Sequence, residues 1–413
     1  MKFTDPKCYF PQLFLTEQDY MIQQMVHEFV EKEIMPVRHL LDDDTDRRLT
    51  KRIRQKLAEI GIQRMSFPKE YGGSGITSVV TKSIVGEELA RGDLGIAMGN
   101  TCTDWAWAPA LFANHRPVLD KFMPAFCGDE LRIACYSMTE PGGAHGGGGF
   151  DIENPALEAR KLRTIAKLEG DEWVINGSKM WASNSGEADL YCVVCTVDPN
   201  LGYDGIVLIY HPYPWEGFSR GREENKTGMR TDSNCAMYYD NVRVPKEWGI
   251  GPGGIASRAF RRNLLGARHG AMATGVLRGA FETVLEYTKD RIVDGKPIRQ
   301  HSLAAKVLGE MAIAIETSRI FYLTSAYMAD HPEVYGPIDE GFMPTRMNIT
   351  KSYAPGIAVE LIGEAMKLMG SYAYVRENHI EKYWRDAKEF HLMLGSVYLN
   401  TFNVCRGYYD LEI

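Results

Sequence analysis

The hydrophobic pattern of this chain changes its period twice, and the order of the changes constrains the fold more than any other feature. Apolar residues recur at helical spacing in the first third, give way to short β-branched and aromatic runs between Gly and Asp turns, and then return to helical spacing. Strands grouped in one block indicate segregated layers rather than alternating β/α units. We therefore predict an α+β fold with a helical domain at residues 1–132, an antiparallel β-domain at 133–246 and a second helical domain at 247–413.

Length and charge exclude several classes of function. With 413 residues, of which 45% are hydrophobic, the chain can bury a large core. A net charge of −7 provides no broad basic surface, which argues against nucleic acid or anionic lipid as the main partner. No apolar run reaches the roughly 18 residues that cross a membrane, and the first residues lack a signal-peptide core. We expect a cytoplasmic protein without membrane insertion.

Three patterns that suggest chemistry in isolation fit structural roles better here. Cys192 and Cys195 form a CxxC pattern inside a β-rich run, and no second pair completes a metal site, so we predict no metal. Residues 249–254 match GxGxxG, but a proline interrupts them and no βαβ unit surrounds them, which indicates a linker. His269 and His391 stand without paired acids at a recognisable spacing, so we predict surface or packing roles.

Two segments carry a more specific signal. Residues 136–142 read Tyr-Ser-Met-Thr-Glu-Pro-Gly, and residues 175–184 read Ile-Asn-Gly-Ser-Lys-Met-Trp-Ala-Ser-Asn. Both resemble signatures of the acyl-CoA dehydrogenase family, which implies an FAD cofactor and a C-terminal domain like a four-helix bundle. A flavin ring needs an apolar wall and a few fixed donors. The resemblance assigns contacts with the flavin to Tyr136, Met138, Thr139, Trp181 and Ser183.

Further matches extend the resemblance over nearly the full length. They lie at residues 67–75, 242–245, 290–298 and 368–386, in the order that the family has. The resemblance implies a homo-oligomer, usually a tetramer, in which an arginine contacts the FAD pyrophosphate of a neighbouring subunit. It also implies that a long loop at residues 143–163 reshapes the mouth of the substrate pocket. The remaining cofactor contacts that it assigns are Arg291, Lys367 (where the family has Gln), Gly370 and Ser396.

The catalytic glutamate of the family is missing. The resemblance places it at Leu394, and the earlier position that some relatives use falls at Leu265, in a run without any acid. In the family this glutamate removes the α-proton of the thioester while hydride passes to the flavin, and electrons continue to an electron-transferring flavoprotein. A leucine cannot accept a proton, so either the base has moved or the reaction needs none.

Two aspartates in the predicted pocket helix are candidates for a relocated base. Asp93 and Asp104 differ by about 20° around a helix and lie about 16 Å apart along it, so only one can be near the substrate. We favour Asp104, which lies among Thr101, Trp105 and other apolar neighbours. Asp93 follows a glycine, where a carboxylate often caps a helix. Besides Leu394, we expect Thr101 and Arg268 to contact the substrate.

The chain thus combines an apolar residue at the usual glutamate site with a carboxylate on this helix. In this combination it resembles the subgroup that oxidises cyclohex-1-ene-1-carboxyl-CoA. There an aspartate removes a proton from a ring carbon beyond Cα and a conjugated diene forms by 1,4-elimination. Two rivals stay open. One is a desulfinase-type reaction without an α-proton base, for which Arg262 or Arg268 would bind a second anionic group. The other is a catalytically silent acyl-CoA- or FAD-binding protein.

Overall fold

The computed structural model describes residues 12–142, 161–393 and 397–409. Most of the predicted loop at 143–163, and the positions of Leu394 and Ser396, lie outside these residues. The first part of the chain is helical, as predicted. Its helices are α1 (Glu17–Phe29), α2 (Arg48–Glu59), α3 (Val79–Gly92), α4 (Leu94–Phe112) and α5 (Arg116–Phe126).

Side-chain caps define where these helices begin. The Thr16 hydroxyl accepts a hydrogen bond from Asp19 N at 3.2 Å, and the Asp19 carboxylate accepts one from Thr16 N at 2.8 Å, a reciprocal capping box. Asp93 separates α3 from α4 and accepts a hydrogen bond from Ile96 N at 3.0 Å. Helix α4 is buried on nearly all sides, so it forms the centre of the helical layer.

The middle of the chain forms one sheet in the order β6-β7-β3-β2-β4-β5-β8, with β1 beside β4. The sheet is mainly antiparallel, as predicted, but the prediction missed two parallel pairings, β1 with β4 and β2 with β4. Alternation of apolar residues does not distinguish these pairings. The strands are β1 (Ala134–Ser137), β2 (Ile165–Glu169), β3 (Glu172–Lys179), β4 (Leu190–Thr196), β5 (Ile206–Pro212), β6 (Phe218–Glu223), β7 (Cys235–Pro245) and β8 (Gly249–Ile250).

Long helices return after the sheet and pack as a bundle. They are α6 (Gly254–Asn263), α7 (Arg268–Asp290), α8 (Ser302–Asp330), α9 (Met343–Met369), α10 (Ile380–Leu392) and α11 (Val397–Arg406). Helices α7, α8, α9 and α10 form the predicted four-helix arrangement, and α3 packs along α7. No helix in the described parts of the chain is long and apolar enough to cross a membrane.

Helices α3 and α7 touch through bare backbone. A Cβ atom at Gly275 would lie 2.2 Å from the Glu87 carbonyl oxygen, so only glycine fits at this crossing. Next to it, Arg278 of α7 pairs with Glu88 at 2.7 Å and Arg319 of α8 pairs with Glu87 at 2.6 Å, all buried. Buried charges of this kind need complete pairing, so they tie the three helices together.

Candidate active site

The ends of β1 and β3 bring the two signature segments side by side. Met180 N donates to the Thr139 carbonyl at 2.9 Å, which places Trp181 and Ser183 next to the segment that follows β1. Below this contact, a buried ion pair between Lys179 and Glu140 at 2.8 Å stabilises the turn. The structure therefore brings together the two segments that carry the five residues for which the resemblance predicts contact with the flavin.

Trp181 has the features of a wall for a flat ring. Its indole is 47% exposed, and its backbone has φ 65°, a left-handed conformation that costs energy in a bulky residue. Asn234 Nδ2 donates to the Trp181 carbonyl at 2.8 Å and holds this conformation. A strained, half-exposed aromatic residue beside a row of backbone groups fits the isoalloxazine of FAD.

Tyr136 gives a second test of that fit. It is buried, and its hydroxyl, near the Asn263 side chain, makes no hydrogen bond of good geometry within the described part of the chain. A buried polar atom without a partner is costly, which suits a position that a bound polar ligand completes. The residues present are thus compatible with FAD.

Ser183 differs from the role that the signature implies. Its hydroxyl donates to Asp232 Oδ2 at 2.6 Å, and Asn184 N approaches Asp232 Oδ1 at 3.3 Å. With its proton directed to a carboxylate, the Ser183 oxygen presents lone pairs rather than a hydrogen to the flavin side. Asp232 was not predicted from the sequence, because a single acid in a loop has no spacing signal.

The predicted contacts with the far end of FAD lie on the C-terminal bundle. Arg291 directly follows α7 as its C-terminal cap, is exposed, and lies 6.0 Å from the ring centre of Tyr372. Lys367 pairs with Glu364 at 2.6 Å on the surface. Lys367 and Gly370 line a cavity of about 730 Å³ that also includes Lys226, Arg376 and Trp384. Lys367 and Gly370 therefore border a recess large enough for part of a nucleotide, whereas Arg291 does not line it.

Asp104 lies on α4 with two fixed partners. Ser66 Oγ donates to Asp104 Oδ1 at 2.9 Å, and Arg268 Nη1 donates to Asp104 Oδ2 at 2.9 Å. The Asp104 side chain keeps 17% of its surface exposed and that of Arg268 keeps 14%. Lys82 of α3 lies close enough for its charge to interact with both. The carboxylate is thus oriented but still accessible.

Asp93 lies at the N-terminal cap of α4 in a closed environment. It caps the helix, accepts a hydrogen bond from Thr231, and pairs with Lys382 at 3.0 Å. Burial acts to raise the pKa of Asp93, but Lys382, Thr231 and the Ile96 amide outweigh burial and hold it below its usual value. Its side chain has no exposed surface.

Helix α4 connects the carboxylate to the flavin cradle. Burial and the charge of Asp232 raise the pKa of the Cys102 thiol, whereas Ser183 and Arg268 oppose this rise. Cys102 therefore lies between the two groups of residues. Asn184 Nδ2 donates to the carbonyl oxygens of Gly99 at 2.8 Å and Ala134 at 2.9 Å, which fixes the cradle to α4. Thr101 is buried here, with its hydroxyl 3.8 Å from Met272 Sδ.

A helical layer, a sheet with an aromatic flavin wall and a helical bundle define a class of flavin-dependent dehydrogenases. Models of the acyl-CoA dehydrogenase N-terminal, middle and C-terminal domains match residues 16–117, 135–242 and 258–400. The chain belongs to the acyl-CoA dehydrogenase family. It is an oxidoreductase that acts on CH–CH bonds, and FAD is its cofactor.

Individual relatives agree with this membership. The probable acyl-CoA dehydrogenase FadE25 of Mycobacterium tuberculosis is 29% identical over 376 residues, which cover 91% of both chains. The mitochondrial short/branched chain specific acyl-CoA dehydrogenase of Rattus norvegicus is 29% identical, over 96% of this chain and 86% of the relative. The structure of butyryl-CoA dehydrogenase from Megasphaera elsdenii superposes with a TM-score of 0.83 at 26% identity, over 95% of this chain and 98% of the other.

Proposed function

We propose that this acyl-CoA dehydrogenase oxidises an alicyclic acyl-CoA thioester of the cyclohex-1-ene-1-carboxyl-CoA type, with Asp104 as the base. The observation that carries the proposal is the oriented, accessible carboxylate on α4, the same helix that supports Ser183 through Asn184. The glutamate position of the family holds Leu394, which cannot serve. Of the two candidate aspartates, Asp93 is occupied by its cap and its ion pair.

Bound FAD supplies the oxidant that accepts hydride from the substrate. The protein supplies the proton acceptor and its orientation. Asp104 receives the proton that leaves a ring carbon beyond Cα, while Ser66 holds one carboxylate oxygen and Arg268 the other. Because both partners are in place before the substrate binds, no reorientation of the carboxylate is required during the reaction.

Aromatic rings beside Asp104 support a cyclic substrate. The rings of Trp105 and His269 lie 5.2 Å apart, and His269 stacks on Phe390 at 6.0 Å. Burial, with the nearby charges of Lys351 and Arg268, lowers the pKa of His269 to about 3, so this imidazole stays neutral and adds a flat, uncharged ring to the group. Flat apolar walls suit a flat ring better than a flexible chain.

The rival reactions gain less support. A desulfinase-type reaction requires a cation for a second anionic group. Arg262 pairs with Asp339 at 2.6 Å, and Arg268 pairs with Asp104, so both candidate arginines already have a carboxylate partner. A silent binding protein would not need the oriented Asp104.

Anaerobic titration of the purified yellow holoenzyme with linear, cyclic and unsaturated thioesters tests the proposal. We expect cyclohexene-carboxyl thioesters to bleach the flavin much faster than linear saturated ones, and Asp104→Asn to abolish most of this bleaching. Asp129→Asn, with a side chain 69% exposed on the surface, is the matched control. Equal rates for linear chains would refute the cyclic substrate, and full activity of Asp104→Asn would refute the base.

We also propose a homotetramer that passes electrons to an electron-transferring flavoprotein. Exposed Arg291 on the bundle surface supports a pyrophosphate contact across a subunit interface. Light scattering of the holoenzyme measures the number of subunits. A monomeric holoenzyme would contradict the tetramer. An Arg291→Ala variant that retains FAD as firmly as the wild type would contradict the pyrophosphate contact.

A further inference from the structure

A buried carboxylate lies directly behind the flavin cradle. Asp232 has only 2% of its surface exposed, and its carboxylate accepts a hydrogen bond from the Ser183 hydroxyl at 2.6 Å. Its own backbone amide donates to the Met229 carbonyl at 2.9 Å, so the loop that carries it is fixed. Neither the capping of a helix nor a close ion pair accounts for this carboxylate among the described residues.

The surroundings of Asp232 combine positive and negative charges. Lys226 lies in the same loop, with its Nζ 2.6 Å from Asn234 Oδ1 and 3.1 Å from Glu389 Oε1. Glu389 on α10 is 23% exposed, and Lys226 lines the large surface cavity. The ionisable groups whose charges interact with Asp232 are Lys226, Arg47, Arg54, Glu389, Cys102 and Cys135.

This environment favours uptake of a proton. Burial raises the pKa of Asp232 in spite of Lys226, Ser183 and Arg47, which oppose the rise. Burial likewise raises the pKa of Glu389 to about 7, with Lys226 opposing and Asp232 and Asp386 contributing. Asp232 and Glu389 are therefore neighbouring acids that share one lysine, Lys226, whose positive charge favours the ionised form of each.

We propose that Asp232 is the proton acceptor for the flavin edge and receives its proton through Ser183. A reduced flavin that gives two electrons in turn to a one-electron-accepting flavoprotein would also release the proton of a ring N–H, and Ser183 would be the residue that takes it up. That N–H bond breaks as Ser183 Oγ gains the proton, and the O–H proton of Ser183 moves to Asp232 Oδ2. Asp232 becomes a neutral carboxylic acid, and Lys226 and Glu389 lie on the side from which solvent recovers the proton.

The inference rests on the proposed contact between Ser183 and the flavin, so the first measurement examines that contact alone. The visible absorption spectrum of the FAD-loaded Ser183→Ala variant is compared with that of the wild type. A shifted spectrum supports the contact. An identical spectrum would refute the contact, whatever Asp232 does.

The second measurement examines proton transfer. Time-resolved infrared spectra, recorded while the reduced holoenzyme is reoxidised, are expected to contain a transient carboxylic-acid carbonyl band that is lost in both Asp232→Asn and Ser183→Ala. Asp240→Asn, an exposed residue of β7, is the matched control and should retain the band. If Asp232→Asn fails to fold, Ser183→Ala alone decides. A band that persists in a shifted-spectrum Ser183→Ala variant would overturn the relay while leaving the flavin contact intact.

A third measurement separates proton transfer from a merely structural role. Reoxidation of the reduced holoenzyme by a one-electron acceptor should accelerate as pH rises, because only ionised Asp232 can accept a proton. Asp232→Asn should reoxidise about 10- to 100-fold more slowly and without this pH dependence. An unchanged pH profile in Asp232→Asn would contradict the proposal.

Discussion

Helix α4 has one aspartate at its N-terminal cap, Asp93, and another near its middle, Asp104, and the two carboxylates have opposite surroundings. Asp93 has no exposed surface and is held by a cap, a hydroxyl and the Lys382 ammonium. Asp104 has one partner for each oxygen and retains 17% of its surface exposed. The same residue type is therefore fully enclosed at the start of the helix and partly exposed near its middle, where we propose that it acts as the base.

This difference depends on how many hydrogen-bond donors and cations surround each carboxylate. A buried acid whose partners are all fixed contributes to stability, and losing a partner leaves an isolated charge. An acid with exposed surface can exchange a proton with a ligand. The number of fixed partners and the exposed fraction therefore distinguish the two aspartates. Position around the helix does not, because the sequence predicts both on the same face.

Neutralising each aspartate separately should give opposite results. Asp104→Asn is expected to slow flavin reduction by a cyclic thioester about 10²- to 10⁴-fold, because an amide cannot accept the proton. Its melting temperature should stay close to that of the wild type. Asp93→Asn should show the reverse, with a lower melting temperature and normal reduction per folded holoenzyme. Stopped-flow absorbance and thermal unfolding measure the two effects.

Removing the cation at the Asp93 end should affect stability most. Lys382 Nζ lies 3.1 Å from Asp42, 3.0 Å from Asp93 and 2.9 Å from Asp386, so Lys382→Met leaves three buried carboxylates without their ammonium. We expect a loss of about 3–5 kcal/mol in the free energy of unfolding, measured by urea denaturation. Lys306→Met, with a side chain 65% exposed on the surface, is the control, and an equal effect of both substitutions would contradict the structural role of Lys382.

Glu389 lies between these two extremes and can be tested through pH. Burial raises its pKa from 4.5 to about 7, so the folded protein holds a proton that the unfolded chain has released. The free energy of unfolding should therefore fall as pH rises from about 4.5 to 7, and then level off. Glu389→Gln cannot ionise and should reduce this slope, by about 1–3 kcal/mol over the window. An unchanged slope would refute the assignment.

The smallest effect is expected at Ser66. Ser66→Ala removes one of the two partners of Asp104 and leaves Arg268 in place, so the carboxylate becomes less precisely oriented. We expect the activation free energy to rise by about 1 kcal/mol, which corresponds to a roughly fivefold slower flavin reduction. Ser74→Ala, in the same segment but without contact to Asp104, serves as the comparison. A loss as large as that in Asp104→Asn would mean that Ser66 has another role.

Periodicity and short motifs predicted much of this molecule. The order of helical and β segments follows from spacing, and the signature segments placed Trp181 and Ser183 together. Capping by Asp93 was foreseen as an alternative because Gly92 interrupts the helix. By contrast, the pair of Asp104 and Arg268 joins residues 164 positions apart, and such a contact depends on how helices pack. Asp232 and Glu389 were missed because isolated acids carry no periodic signal.

The glycine crossing of α3 and α7 has a consequence for selectivity. With the two backbones in contact at Gly275, these helices cannot move closer together, and the buried ionic layer beside them opposes separation. The distance between these two helices is therefore fixed, so a substrate cavity that they border would keep a constant width. Discrimination between acyl groups of different width would then depend on the side chains of α4 and α10. Substitutions there would change substrate selectivity without altering the packing of α3 on α7.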